Sequence, residues 1–175
     1  MKKEVVLLLT IALLTPLLSA EIIINTQPIG VYNLGDVIEM PITIKSLGTT
    51  SGILEMNLVC PNSEINFYKN GISLSLGEEK NIDSSLILTK QLIGSSLGIC
   101  VVKIILGDDF KITSEFGISD KISLTQQLEN TDIAPDESII IDGTATKENG
   151  KKVNGFIDAE IFKGETVSEP YSTSQ

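Results

Sequence analysis

Cys60 and Cys100 are the only thiols in the chain, and two cysteines in an exported protein meet oxidising conditions in which they pair. Left reduced, they would be two small buried apolar side chains. Thiolate catalysis needs a base beside the sulfur, and the chain contains no His. The same absence removes the commonest general base and the commonest zinc ligand. Gly94-Ser95-Ser96-Leu97-Gly98 matches the G-x-S-x-G form of a hydrolase nucleophile elbow. That device works only on a strand-to-helix turn with a base in reach. Here the stretch leads into an apolar run that reads as a strand, so it is expected to be a flexible loop. Asp108-Asp109 and the group Asp132, Asp136, Glu137 and Asp142 carry the oxygen ligands Ca²⁺ takes. Their spacing fits no EF-hand loop, and turn chemistry and solvation account for them. The expectation is no catalytic residue, no metal and no cofactor. No N-x-S/T sequon occurs either.

The elements that would position such residues are set by composition. Hydrophobic residues make up 42% of the 175, aromatics only 5%, and there is no Trp, so the core must be aliphatic. That length is enough for one full core and part of a second. β-branched richness and regular turn signals favour strands. The net charge of −10 repels phosphate backbones and anionic lipid surfaces, which excludes nucleic acid as an expected partner. Solubility is the plain reading of that charge.

The N-terminus reads as an export signal. Lys2-Lys3 precedes the apolar run Val5 to Leu14, Pro16 breaks it, and Leu18-Ser19-Ala20 ends it on a small residue. The apolar stretch from Val5 to Leu18 is shorter than the roughly 20 residues a spanning helix needs. Residues 1–20 are therefore expected to be a signal-peptide helix cut between Ala20 and Glu21, rather than an uncleaved anchor. Residue 21 is not Cys, so no lipid attachment is signalled, and no membrane span is expected in the mature chain.

Beyond residue 20 the pattern is short strands and turns. Ile38, Met40, Ile42 and Ile44 share one face of a strand, with Pro41 expected at a sheet edge or bulge. Leu54, Met56, Leu58 and Cys60 share another. Tyr32 to Asp36 reads as a turn and Ile65 to Tyr68 as a short strand. Cys100 to Leu106 is the most apolar run, and Gly107-Asp108-Asp109 is a tight hairpin. About seven strands in residues 21–118 indicate an all-β, Ig-like antiparallel β-sandwich. Cys60 ends the third strand and Cys100 begins the sixth. In an Ig-like topology these are antiparallel neighbours, with Cα atoms within the roughly 4.4–6.8 Å of a disulfide. The best helical candidate after the leader is Thr125 to Asn130, too short to matter.

Residues 119–175 read as an incomplete second β-sandwich module with a disordered or extended tail from Glu165. Tyr32 to Ile38 overlays Ile133 to Ile139 as a weak internal repeat. Asn149-Gly150 is expected to be a two-residue turn between strands at Ile139–Ile141 and Phe156–Ile161. The stretch Asp142 to Gly155, with Ser114 to Ile122 before it as a linker, resembles the strand–hairpin–strand opening of macroglobulin-2-like or carboxypeptidase-regulatory-like modules. These occur as tandem Ig-like β-sandwich modules in prokaryotic surface proteins. The resemblance implies a modular array without catalytic residues, continuing past Gln175.

The function expected is a non-catalytic, exported cell-surface or secreted protein whose modules act as scaffold, adhesion or spacer domains toward a protein or cell-envelope partner. The alternative is a carbohydrate-binding-type accessory region of a larger secreted enzyme. Sugar platforms usually need aromatics, and the mature chain offers only Tyr32, Phe67, Tyr68, Phe110, Phe116, Phe156, Phe162 and Tyr171.

Overall fold

The computed structural model describes residues 20–94, 96–129, 134, 137–163 and 166–174. The leader residues before Ala20 lie outside that set. The chain divides into two units, one ending at Ser119 and the other beginning at Asp120.

The first unit is a β-sandwich. Its strands are β1 (Ala20–Ile24), β2 (Val31–Asn33), β3 (Val37–Ser46), β4 (Thr50–Cys60), β5 (Ser63–Leu74) and β6 (Glu79–Ile87). A one-turn helix, α1 (Lys90–Ile93), precedes β7 (Gly98–Leu106), β8 (Asp109–Ile112) and β9 (Phe116–Ser119). One sheet has the order β1-β3-β6 and the other β2-β9-β7-β4-β5, with β8 also on β7. Every pairing is antiparallel except β2 with β9. The strands after β3 run to and fro between the two sheets, as in an Ig-like sandwich.

Alternation explains the layers. Ile38, Met40, Ile42 and Ile44 of β3 face Leu54, Met56 and Leu58 of β4 and Val102, Ile104 and Leu106 of β7 in one core. The odd-numbered residues of β3 and β4 and of β7 point outward. The core is aliphatic as composition demands, with Phe116 the buried aromatic and Tyr32 set edge-on to it at 5.6 Å.

Pro41 lies in the middle strand of its sheet, not at an edge. Its carbonyl accepts from Asn25 N at 3.0 Å, on the side where β1 has already ended at Ile24. A strand residue points its N and its C=O the same way, so the missing N–H faces Asn25 just past the end of β1, and the proline forgoes only the reciprocal bond of that last pair. Val31–Asn33 is strand rather than turn. The turn is Asn33 to Asp36, closed by Asp36 N to Asn33 O at 2.9 Å with Gly35 at φ +85°. Asp36 accepts from Asn33 N at 2.8 Å, and Asn33 Nδ2 donates to Ser119 O at 3.1 Å, tying β2 to β9. β5 is three times the expected length, because a bulge opposite Met56/Asn57 shifts its alternation and Asn70-Gly71 mimics a turn.

The second unit contains β10 (Ile122–Leu128) paired with β11 (Ile141–Lys147), and β12 (Phe156–Lys163) paired with β13 (Thr166–Ser174). Thr125 to Leu128, the helical candidate, is strand: Thr125 faces Thr144, their hydroxyls 2.6 Å apart. Ile139 and Ile140 precede the strand that follows them, and the start of the weak repeat, at Ile133, lies outside the described residues. Phe156–Ile161 pairs with β13 and not with β11. Residues 166–174, read as a disordered or extended tail, form β13. The Asn149-Gly150 turn is a three-residue loop: Gly150 N donates to Lys147 O at 2.9 Å, Lys147 N to Lys151 O at 2.8 Å, and Gly150 has φ +80°. That is a type I turn followed by a left-handed bulge residue, which glycine supplies without strain.

In β10–β11 one face carries Ile122, Leu124 and Leu128 with Ala145 and Ile141, and the other carries Ser123, Thr125, Asp142, Thr144 and Thr146. All three β10 apolar residues are exposed. A two-stranded sheet with an uncovered apolar face is marginal in water.

Two measurements check this architecture. Leu58→Ala, emptying a fully buried site in the middle of β4, should cost about 2–5 kcal/mol in chemical denaturation. Hydrogen exchange on the full chain should protect β4 and β7 amides more than those of β10–β13 by at least about tenfold; equal protection would contradict a marginal second unit.

Candidate functional site

The cysteines form a disulfide. Cys60 ends β4 and Cys100 lies near the start of β7, one step beyond the pair Val59 and Val101 in the antiparallel ladder. Their Cα atoms are 4.3 Å apart, just under the expected range. Directly opposed residues at the narrow positions of such a ladder sit about 4.5 Å apart, so the register itself brings the sulfurs together. Both residues are buried. In antibody-type domains the bond joins the two sheets; here it staples neighbours within one.

Next to it lies the G-x-S-x-G stretch. Ser96 is buried and hydrogen-bonds the Ser63 hydroxyl, so it braces the loop against the start of β5. The order is helix α1, loop, strand β7, the reverse of the elbow's strand, turn and helix. Thr89 caps α1, its hydroxyl accepting from Leu92 N at 3.2 Å.

Ala20 and Glu21 sit at the head of β1, paired with Ser46 and Lys45. Ala20 is buried, so a peptidase could reach the bond after it only before β1 docks. Of the acidic residues, Asp108 lies in the Gly107-Asp108 turn, Asp109 opens β8 opposite Leu106, Glu137 and Asp142 are exposed, and Asp132 and Asp136 lie outside the described residues. Among the described residues, every buried side-chain N or O has a hydrogen-bond partner.

What the two outer faces expose separates them. The face of β1-β3-β6 is mainly polar: Glu21, Glu39, Thr43, Lys45, Glu79, Asn81, Asp83 and Ser85 dominate it, with Ile23 and the cross-strand pair Val37 and Ile87 as its exposed apolar positions. Thr43 donates to Asn81 at 2.7 Å and accepts from Asn25 at 3.0 Å, and Lys45 pairs with Glu79 at 3.1 Å. The face of the large sheet is apolar. In register across it run Ile105 beside Phe110, Ile112 beside Lys103, Val59 beside Val101, and Ile99 beside Gly117. Ile99 is 58% exposed, Phe110 61%, Ile112 47% and Ile53 52%. Lys103 Nζ lies 5.6 Å from the Phe110 ring centroid. At the bulge Asn57 donates to Glu64 at 2.7 Å and accepts from Asn66 at 2.6 Å, and Glu55 pairs with Lys69 at 2.6 Å.

Cys100 to Leu106 is the most apolar run of the sequence beyond the leader, interrupted only by Lys103. A strand with one face in water alternates, whereas a continuous apolar run belongs to a strand flanked on both faces.

No family model and no curated protein matches the chain. Among solved structures, it is similar to the Pseudomonas fluorescens alkylpurine DNA glycosylase AlkC bound to DNA containing an abasic site analog. The identity is 17%, over 57% of this chain and 30% of that one, with TM-score 0.47. A Salmonella alpha-2-macroglobulin mutant aligns over 91% of this chain and 12% of that one, at 14% identity and TM-score 0.37. An uncharacterized Bacillus anthracis protein aligns over 56% and 84%, at 24% identity and TM-score 0.32. The chain thus spans less than a third of the first of these structures, and likenesses this loose carry no argument about function. The class is set by the chain's own strand order: a β-sandwich protein with a disulfide within one sheet.

Replacing both Cys60 and Cys100 by Ala should lower stability by up to about 4 kcal/mol, since the bond spans a sequence separation of 40. Denaturation of the variant against the oxidised protein measures it. An unchanged midpoint would mean the ladder holds the two ends together unaided.

Proposed function

We propose that the chain is a non-catalytic, exported β-sandwich protein of the cell surface or the secreted medium, a scaffold or adhesive spacer making contact through the outer face of its large sheet. The observation that carries the reading is that face, with Ile99, Val101, Ile105, Phe110 and Ile112 in neighbouring strands, beside an opposite face that is mainly polar. Water-facing sheet surfaces alternate to polar residues, and a contiguous apolar surface marks an interaction site. The oxidised cysteine pair suits an export route. The leader features, with a cut between Ala20 and Glu21, supply the targeting. The chemistry of the chain supports a binding role: it has no His, and Ser96 is engaged with Ser63.

The test has two parts. Protein recovered from the medium or cell surface should begin at Glu21, read by N-terminal sequencing; product still starting at Met1 would refute the processing. Ile99→Asp and Phe110→Asp in the full chain should leave the melting temperature within a few degrees, because both side chains are already exposed. The same variants should abolish retention on envelope fractions that the parent chain binds. Retention unchanged by both would dismiss the face as the contact surface.

A further inference from the structure

We infer that the large-sheet face is a self-association surface, on which two copies of this chain pack face to face as a symmetric dimer. The inference rests on the reading of that face as the contact surface and adds the identity of its partner. Its argument is charge. The chain carries −10, so two copies repel each other over most of their surface. The β1-β3-β6 face shares this imbalance: Glu21, Glu39, Glu79 and Asp83 stand against Lys45 alone. The large-sheet face is different. Glu55 and Glu64 are matched there by Lys69 and Lys103, so the most apolar outer face is also electrically balanced. A second copy can approach this face without the penalty it meets at the acidic one.

The balance is also self-complementary. A two-fold interface places one patch against itself, so each charge must meet its opposite from the same set. Lys103 lies on β7, in the middle of the sheet, and Glu64 lies on the edge strand β5. A two-fold axis through the face can set the lysine of one copy toward the acid of the other, and the reverse. Around them Ile99, Val101, Ile105, Phe110 and Ile112 supply what two packed sheets bury between them, as the inner faces of any sandwich do. Lys103 lies along the Phe110 ring, so its methylenes extend the apolar surface while its ammonium stays at hand.

Sedimentation velocity on the full chain, from low micromolar to about 100 μM, reads the outcome. The parent chain should form a concentration-dependent dimer. Phe110→Asp should weaken it by at least about tenfold, whereas Ile87→Asp, an exposed apolar site on the opposite face, should not. Lys103→Glu and Glu64→Lys should each weaken the dimer, and the two together should restore it; the swap leaves the apolar residues in place, and because Glu64 accepts from Asn57 each variant is compared only at a melting temperature matching the parent. A monomer at the highest concentration, or a dimer indifferent to these changes, overturns the self-pairing. If the chain is monomeric while Ile99→Asp still abolishes envelope retention, the face serves another protein and only the dimer is lost. If neither effect is seen, the contact-surface reading falls with it.

Discussion

The antiparallel ladder between β4 and β7 is the constraint on which the rest of the sandwich depends. It runs from Leu54 opposite Leu106 to Val59 opposite Val101; β5, β8 and β9 each attach to one of these two, and β2 is carried on β9. Its register assigns Leu54, Met56, Leu58, Val102, Ile104 and Leu106 to the core in a single step. A slip of one residue would turn the three of the shifted strand to the opposite face, so burial and register enforce each other. Cys60 and Cys100 meet because that ladder, carried one pair further, leaves them opposite.

The same register decides what the outside looks like. Once the even-numbered residues of β7 are inside, Ile99, Val101 and Ile105 must be outside, whatever their affinity for water. In β3 the corresponding outward positions are Val37, Glu39, Pro41, Thr43 and Lys45, and the surface is mainly polar. The two sheets share one core but differ in the face they leave over, and the difference makes one of them a surface to be covered. A sandwich needs only the inner face for stability, so apolar residues on the outer one point to contact rather than folding.

The second unit shows the opposite balance. β10 and β11 put their large apolar residues on one face, alongside Gln126 and Lys147, and Gly143 lets the strands close, since a Cβ there would lie 2.7 Å from the Thr125 carbonyl oxygen. Yet the described apolar residues of the pair remain exposed. Local pattern is enough to form a ribbon, and burial needs a second layer.

The sequence by itself determined the fold class, the alternation that builds the core, and the cysteine pair, because each follows from a local period or from composition. Ile38 to Ile44 and Leu54 to Cys60 read as strands from their spacing alone. The retention of Pro41 in a central strand did not, because it depends on where the neighbouring β1 stops. Nor did β2, whose three residues are strand only because β9 lies beside them, nor the length of β5, whose bulge is defined against β4. The helical candidate Thr125 to Asn130, too short to matter as a helix, carries strand from Thr125 to Leu128, because its polar residues match either period until Thr144 stands opposite. The apolar outer face was present in the run Cys100 to Leu106, but a run does not say which of its residues will be covered. Only the tertiary structure decided that, because pairing across strands turns alternate residues into a core and a surface.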